Sequence, residues 1–244
     1  MCVLNAAGRG RFVVLVDHAS HHVPGEYAML GLTPADLVRH IAWDPGALPV
    51  ASLVAGALDA PLIHAAQSRL VIDVNRSPDA GDLIAAASED TDIPGNQSVS
   101  GEERRHRMER FYAPYHQAID EVLARREREG LATALISIHT FTPVFRGVPR
   151  PWHIGILHDG DTRLARPLMA ALTEDREIVV GDNQPYSPAD GVYYTLAHHG
   201  DERGLATAMI EIRNDLVADE DGQQGWAERL AKVLGALDLP ARAA

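Results

Sequence analysis

The chain has 244 residues, of which 46% are hydrophobic, and a formal net charge of −12. This length allows one sizeable core, so we expect a single domain over residues 1–244. The acidic balance argues against a nucleic-acid partner, which would need a basic surface. We find no secretion signal and no apolar run long enough to span a membrane. The one cysteine, Cys2, lies near the N-terminus, which we expect to be mobile. A cytoplasmic protein without disulfides is therefore expected.

Short apolar runs alternate with amphipathic segments along the sequence. In chain order, the pattern predicts a strand at 12–16, a helix at 47–58, strands at 62–63 and 70–74, a long polar loop at 79–98, a helix at 100–129, strands at 133–138 and 153–157, a helix at 162–172, a strand at 177–180, a short helix at 191–199, a strand at 206–212 and a closing helix at 226–237. Alternation of this kind predicts an α/β fold with a largely parallel sheet and helices on both faces.

The predicted helix at 100–129 carries the clearest local signals. Ser100 and Glu103 form a capping-box pattern at its start, and Pro114 is expected to kink it. Its last residues, 125–129, are three arginines and two glutamates, and we expect this end to be solvated.

Chemically competent side chains stand at the ends of predicted strands. In a parallel sheet ligands bind at the carboxyl ends of the strands, so His18, Arg76, His139 and Glu211 have a physical reason to converge. His18 is a candidate zinc ligand, or a histidine that caps a turn. His139, at the tip of an apolar strand, is either a ligand or a histidine with a structural hydrogen bond.

A carboxylate could complete a zinc site with two histidines and leave a position open for water. Asp44 precedes a predicted helix, where aspartate is also a favoured N-cap. Asp17 could orient the imidazole of His18, or could be a turn residue. His21 forms a His-x-x-His pair with His18, which can also bind metal.

Glu211 lies inside an apolar strand, where a carboxylate is costly unless it is paired or functional. It is a candidate general base, or the partner of Arg213 in an ion pair on one strand face. Arg69, Asn75 and Arg76 flank the apolar run at 70–74 and suit an acidic substrate, since arginine binds carboxylates bidentately. Pairing of these arginines with Asp73 is the structural alternative.

Taken together, these segments resemble the N-formylglutamate amidohydrolase family. The resemblance spans nearly the whole chain in order and rests on Asp17-His18-Ala-Ser, Ala42-Trp-Asp44-Pro-Gly-Ala, Ser68-Arg69-Leu-Val-Ile-Asp73-Val-Asn75-Arg76, Ile93-Pro-Gly-Asn96, Tyr112-Ala-Pro-Tyr115-His116, Ser137-Ile-His139-Thr-Phe-Thr-Pro143, Arg150-Pro-Trp-His153 and Ile210-Glu211-Ile-Arg213. It implies a fold similar to zinc carboxypeptidases and aspartoacylase, a three-layer α/β/α sandwich around a mixed sheet.

The resemblance also implies roles for the candidate residues. One zinc per chain would be held by His18, His139 and a third ligand. Zinc carboxypeptidases have His-x-x-Glu where this chain has His21, so Asp44 is the preferred third ligand, with His21 and Asp17 as alternatives. The remaining roles are a general base for Glu211, oxyanion stabilisation for Arg69, and substrate binding for Asn75, Arg76, Arg213 and Tyr194.

The function implied is hydrolysis of N-formyl-L-glutamate, a step of histidine degradation, or of a similar small acidic N-acyl amino acid. Two alternatives remain open. One is a deacylase or peptidase of the same chemistry with another acyl group. The other is a non-enzymatic domain that binds a metal or a small acid on a hydrolase scaffold.

Overall fold

The computed structural model describes residues 1–238, and a mixed seven-stranded sheet forms the centre of this part of the chain. Its strands, together with those of two small hairpins, are β1 (Cys2–Leu4), β2 (Phe12–Val16), β3 (Leu62–His64), β4 (Ala87–Ser88), β5 (Thr91–Asp92), β6 (Ala134–Phe141), β7 (Val144–Phe145), β8 (Val148–Pro149), β9 (Ile154–Leu157), β10 (Val180–Asp182) and β11 (Ala206–Arg213).

The main sheet has the strand order β1-β3-β2-β6-β11-β9-β10. The neighbours β3, β2, β6 and β11 run parallel to one another, as do β9 and β10. Only the pairings of β1 with β3 and of β11 with β9 are antiparallel. The sheet is therefore mixed and largely parallel, which confirms the predicted fold class.

Helices cover both faces of this sheet. They are α1 (Pro34–Leu37), α2 (Ala47–Ala57), α3 (Gly101–Arg107), α4 (Ala113–Arg128), α5 (Ala165–Leu172), α6 (Tyr194–His199) and α7 (Glu220–Ala236). The apolar residues of α2, α5 and α7 belong to one core cluster, and those of α4 and α6 belong to a second. The predicted three-layer α/β/α sandwich is thus present.

Strand β2 shows how the sequence builds the two cores. All five of its residues are buried, as expected for a strand covered on both faces. Val14 and Val16 pack into the cluster with α2 and α7, whereas Val13 and Leu15 pack into the cluster with α4. This alternation follows from the two-residue period of a strand.

The predicted helix at 100–129 is α3 and α4 joined by a π-helical turn, Met108–Tyr112. The hydroxyl of Ser100 accepts a hydrogen bond from the backbone N–H of Glu103 at 3.1 Å, as the capping pattern predicts. The predicted kink at Pro114 stays a prediction, and the π-helical turn ends two residues before this proline. Proline has no N–H to continue the regular helical ladder.

The predicted strand at 70–74 is wrong. This segment is buried but forms turns, and its carbonyl groups bond to side chains instead of to a neighbouring strand. The carbonyl of Leu70 accepts from Asn96, that of Val71 from Arg107, and that of Val74 faces His116 Nε2 at 3.1 Å. The apolar composition made this run resemble a buried strand, since an apolar pattern does not reveal which groups form hydrogen bonds with its backbone.

The solvated helix end predicted at 125–129 is also wrong at one position. Arg126 is completely buried, and its guanidinium donates to the carbonyls of Gly8, Gly10 and Ala132 at 2.6–3.0 Å. It ties the end of α4 to the segment before β2. The N-terminus is likewise ordered, because β1 pairs with β3, with Cys2 exposed on the edge strand.

The remaining differences are in element bounds. Strand β10 begins three residues later than predicted, and α7 begins six residues earlier, at Glu220, where Asp219 caps it. The loop at 79–98 contains the small hairpin of β4 and β5. Within residues 1–238, no helix is both long enough and apolar enough to cross a bilayer.

Candidate active site

The parallel strands β2, β6 and β11 end at the same edge of the sheet and bring the candidate residues together. His18 follows β2 by two residues, and His139 lies near the end of β6. In the register between β6 and β11, His139 stands directly opposite Glu211. Asp44 arrives from the loop before α2, held by a 2.9 Å hydrogen bond from its N–H to the carbonyl of His18.

His18, Asp44 and His139 form a compact, buried group. Each offers a ligand atom, and these atoms lie within 4.8 Å of one another. The Asp44 Oδ2 atom is 2.8 Å from His139 Nδ1 and 3.4 Å from His18 Nδ1. This is the set that sequence reasoning favoured for a metal. His21 lies outside it, exposed, with its ring against Trp43.

The Nε2 atom of each of these two histidines contacts a further aspartate, a different one for each ring. His18 Nε2 lies 2.7 Å from Asp73 Oδ1, and His139 Nε2 lies 2.9 Å from Asp17 Oδ2. Asp17 therefore orients His139 and not His18, which corrects the sequence-based assignment. Asp17 also accepts hydrogen bonds from Tyr115 and Thr195, so its position is fixed from several sides.

The electrostatics of the group follow from these contacts. Burial would lower the pKa of His139, but its hydrogen bonds to Asp17 and Asp44 outweigh burial and raise the pKa well above 6.5. Burial would raise the pKa of Asp44, but Arg69 and the two histidines hold it well below 3.8. The Asp44 carboxylate is thus ionised at neutral pH, and Asp17 and Asp44 favour the doubly protonated imidazolium form of His139, which lies between them.

The donor set fits a divalent metal ion. Two imidazole nitrogens and one carboxylate are a common ligand set of catalytic zinc sites. The Nδ1 atom of His18 is buried and has no hydrogen-bond partner among the described residues, as expected of an atom reserved for a ligand. The contacts of Asp73 and Asp17 to the Nε2 atoms match the carboxylate–histidine pairs that orient metal ligands.

Glu211 projects into the same cleft without a partner. It is buried, and its Oε2 atom has no hydrogen bond from any residue within 1–238. Burial raises the pKa of Glu211 from 4.5 to about 7, although His139 opposes the rise. The ion pair with Arg213 is not formed, because Arg213 Nε donates to Asp215 at 2.8 Å.

Arginine side chains border the site on two sides. Arg69 contacts the Asp44 carboxylate and donates to the carbonyl of His40, while its buried Nε atom has no partner among the described residues. Arg76 Nε donates to Asp82 at 2.9 Å. Asn75 is buried, and its Oδ1 atom accepts from the backbone N–H of Thr195 at 2.9 Å.

These residues line one cleft with a volume of about 360 Å³. The size suits a small molecule. The cleft lining includes the predicted site residues His18, Asp44, Arg69, Asn75, Arg76, His139 and Glu211. It does not include Arg213 or Tyr194. The ring of Tyr194 stacks on His198 and packs near Tyr112 and His116, and Arg213 is held by Asp215, so the geometry does not bring either residue to the cleft.

Sequence reasoning missed two residues of the site. Asp73 was considered only as an ion-pair partner of arginine, although a carboxylate in a buried apolar run signals a specific partner. Tyr186 lines the cleft from a loop that carries no recognisable signal. This loop crosses closely over Gly155, the residue opposite Glu211 in β9, where a Cβ would overlap the carbonyl oxygen of Gln184.

The fold and site define a class: an α/β/α sandwich with a metal-competent, hydrolase-type centre at the carboxyl edge of its parallel strands. A family model described as N-formylglutamate amidohydrolase matches residues 10–218. The chain therefore belongs to the N-formylglutamate amidohydrolase family, and the resemblance seen in the sequence is confirmed.

Two solved structures are similar to this chain. The gene product Atu2144 from Agrobacterium tumefaciens is 42% identical, with a TM-score of 0.93 over 96% of this chain and 92% of that chain. An N-formylglutamate amidohydrolase from Ralstonia eutropha JMP134 is 19% identical, with a TM-score of 0.64 over 93% of this chain and 92% of that chain. The second likeness shows the fold alone. No curated protein matches the chain.

Proposed function

We propose that this chain is a zinc-dependent amidohydrolase that cleaves the amide bond of N-formyl-L-glutamate or a similar N-acyl amino acid. Membership of the family supports an amidohydrolase of this type. One observation carries the proposal to this chain's own residues. Three of the buried polar atoms that have no hydrogen-bond partner within residues 1–238, namely His18 Nδ1, Arg69 Nε and Glu211 Oε2, belong to residues lining the same cleft.

His18, Asp44 and His139 would hold one zinc ion per chain. Such an ion supplies Lewis acidity, which polarises a carbonyl and makes water more acidic. Asp73 and Asp17 fix the ring orientation of the two histidines from behind.

Glu211 acts as the general base. A carboxyl whose pKa lies near 7 can take a proton at neutral pH and return it later. Glu211 takes a proton from the attacking water, the water oxygen bonds to the acyl carbon, and the carbon–nitrogen bond breaks as the amine receives that proton. The products of a formyl substrate are formate and the free amino acid.

The guanidinium of Arg69 stabilises the oxyanion that develops on the acyl oxygen. Arg76, next to Asn75, binds the carboxylate of the substrate. We further propose that the chain works as one amidohydrolase domain. A cytoplasmic location, a role in histidine degradation and the lack of a nucleic-acid partner stay predictions.

The test combines metal analysis with substrate profiling. Purified protein is expected to contain about one zinc per chain. It should hydrolyse N-acyl amino acids, and a chelator should abolish the activity until zinc is restored. A preference for peptides over formyl amides would favour the deacylase or peptidase alternative. Bound zinc without turnover across formyl, acetyl and aromatic acyl compounds would support the non-enzymatic alternative.

A further inference from the structure

The charged side chains around the cleft pair with one another. Arg76 donates to Asp82 at 2.9 Å, and Arg39 Nη2 lies 3.4 Å from a carboxylate oxygen of Glu89. Arg69 contacts the aspartate of the metal-competent group. The acidic groups that line the cleft are therefore balanced by arginines of the protein itself.

Arg150, which lies beside the cleft, differs from these arginines. It is buried, with 8% of its surface exposed, and it has no carboxylate partner within residues 1–238. Its Nη1 atom makes two long contacts with Thr142, at 3.5 Å to the carbonyl and 3.4 Å to the hydroxyl. Both lie at the upper limit for a hydrogen bond. Because a guanidinium has five N–H donors, Arg150 keeps the capacity to bind an anion bidentately.

Three aromatic rings surround the guanidinium of Arg150. Its central carbon lies 4.6 Å from the ring centre of Phe145, 4.7 Å from that of Tyr186 and 5.8 Å from that of Phe141. All three aromatic residues line the cleft. Aromatic faces attract a cation but do not neutralise it, and a buried charge without a counter-ion is costly. This arrangement is expected where the anion comes from a ligand.

The order of the strands separates Arg150 from Arg76. Arg76 follows the segment whose Asp73 contacts His18, just after β2. Arg150 precedes β9 by four residues, and β6 and β11 lie between β2 and β9 in the sheet. The two arginines therefore stand on opposite sides of the metal-competent group. A substrate whose acyl group meets that group can offer one carboxylate to each side.

Tyr186 connects Arg150 electrostatically to the proposed base. Burial and the Glu211 carboxylate raise the pKa of Tyr186, and Arg150 opposes the rise through its charge and a hydrogen bond. The Tyr186 hydroxyl is thus within reach of both groups. The positive charge of Arg150 is close to the reacting centre, although it does not pair with the carboxyl that the reaction uses.

We propose that Arg150 is the specificity residue of this cleft and binds the side-chain carboxylate of an N-acyl dicarboxylic amino acid such as N-formyl-L-glutamate, while Arg76 binds the α-carboxylate. Arg150 does not line the cleft directly, so the carboxylate reaches it past the edge of Phe145, which the small hairpin of β7 and β8 carries. The inference rests on the proposed function, since it concerns the substrate of the same site.

The test uses a matched pair of compounds on the zinc-loaded full chain. N-formyl-L-glutamate and N-formyl-L-glutamine have nearly the same shape and differ in the charge of the side chain. We expect kcat/KM of the parent to be at least ~10-fold higher for the glutamate compound, as a charge-assisted bidentate contact predicts. Equal or better turnover of the glutamine compound would overturn the inference while leaving an amidohydrolase in place.

Variants of Arg150 locate the source of this preference. Arg150→Met should lower kcat/KM for the glutamate compound by ~10–100-fold, mainly through KM, and should lower it far less for the glutamine compound. Equal losses for both compounds would mean that Arg150 only supports the surrounding rings, and the inference would be wrong. Arg146→Met is the matched control, because Arg146 is exposed on the same hairpin and also lies over Phe145, at 5.4 Å. A similar change of the preference in this control would attribute it to overall charge and overturn the inference.

Arg150→Lys keeps the charge but lacks the planar fork of two parallel donors. Its preference for the glutamate compound should therefore lie between those of the parent and Arg150→Met. This variant carries the test if Arg150→Met does not fold. A preference equal to that of the parent would then contradict bidentate binding by Arg150.

A binding measurement separates the inference from the proposed function. Calorimetry on the zinc-loaded Glu211→Gln protein should show tighter binding of N-formyl-L-glutamate than of N-formyl-L-glutamine, and adding Arg150→Met should remove the difference. This result with a parent that hydrolyses neither compound would refute the proposed function and leave the role of Arg150 intact. Equal binding of the two compounds by a parent that hydrolyses both would overturn the inference alone.

Discussion

Replacing Glu211 by Gln tests whether a buried, unpaired carboxylate is kept for catalysis at the expense of stability. Burial raises the pKa of Glu211 from 4.5 to about 7, so the folded state prefers the protonated form. Ionising the group therefore destabilises the metal-free protein as the pH rises from 4.5 to 7, and the cost stays constant above 7. At 1.36 kcal/mol for each tenfold change in the equilibrium constant, the full cost is roughly 3 kcal/mol.

Glutamine mimics the protonated form at every pH and removes this cost. In urea denaturation without metal, we expect Glu211→Gln to be more stable than the parent by about 1.4 kcal/mol near pH 5.5, and by roughly 3 kcal/mol near pH 8.5. The increase with pH is the diagnostic result. A gain of the same size at both pH values would mean that Glu211 does not ionise at a cost in the folded protein.

Activity should change in the opposite direction. Loss of acid–base help should lower kcat of the zinc-loaded variant by ~10²–10⁴-fold, while bound zinc stays at the parent level, since Glu211 is not one of the three grouped ligand residues. Glu102→Gln is a matched control, because Glu102 is exposed at the start of α3. The control should alter neither stability nor turnover. Undiminished turnover of Glu211→Gln would remove Glu211 from the mechanism.

Three further predictions concern the metal group and the fold. His139→Ala should lose bound zinc, whereas Asp17→Asn should only weaken zinc binding, by ~10–100-fold, because Asp17 contacts His139 Nε2 and not the nitrogen that faces the metal-competent group. Dialysis against a competing chelator separates these two outcomes. Equal losses of zinc would contradict the roles of His139 as ligand and Asp17 as its orienting partner. Because the pKa of His139 is raised, zinc binding should release a proton from this imidazole, and the affinity for zinc should fall ~10-fold for each pH unit below that pKa. Calorimetry in buffers of different ionisation enthalpy should detect the released proton. A zinc affinity that does not change with pH would refute this prediction. Arg126→Met should lower the free energy of unfolding by ~2–4 kcal/mol because three carbonyls lose their donor, whereas the exposed control Arg128→Met should change it little.

Much of the fold could be predicted because its strands are short apolar runs that a doubly covered sheet requires. The segment at 70–74 shows where this reasoning fails. It is as apolar and buried as a strand, but its hydrogen-bond partners Asn96, Arg107 and His116 come from distant parts of the chain. No local pattern encodes such partners, and the same limit explains why Arg126 looked like a surface residue.

The candidate site could be predicted from the sequence for a topological reason: parallel strands end at one edge of the sheet, and residues at that edge converge. The hydrogen-bond and ion-pair partners of those residues were harder to predict. Arg213 stands two residues from Glu211 yet bonds to Asp215, two residues further on, and the sequence allows either choice. Tyr194 lies on α6, and its ring stacks on His198 of the same helix, outside the cleft.

The position of Asp17 could have been derived from the strand period, and it links the register of the sheet to the chemistry of the site. Val13 and Leu15 point to the same face of β2, and continuing this alternation places Asp17 on that face as well. On β6, Ser137 and His139 occupy the face opposite Ile136 and Ile138, which pack into the other core. Asp17 therefore meets Ser137 and His139 at 2.8 and 2.9 Å, not its sequence neighbour. A slip of one residue between β6 and β11 would turn Glu211 towards the opposite core, so the apolar alternation that fixes the sheet register also places the base beside the metal-competent group.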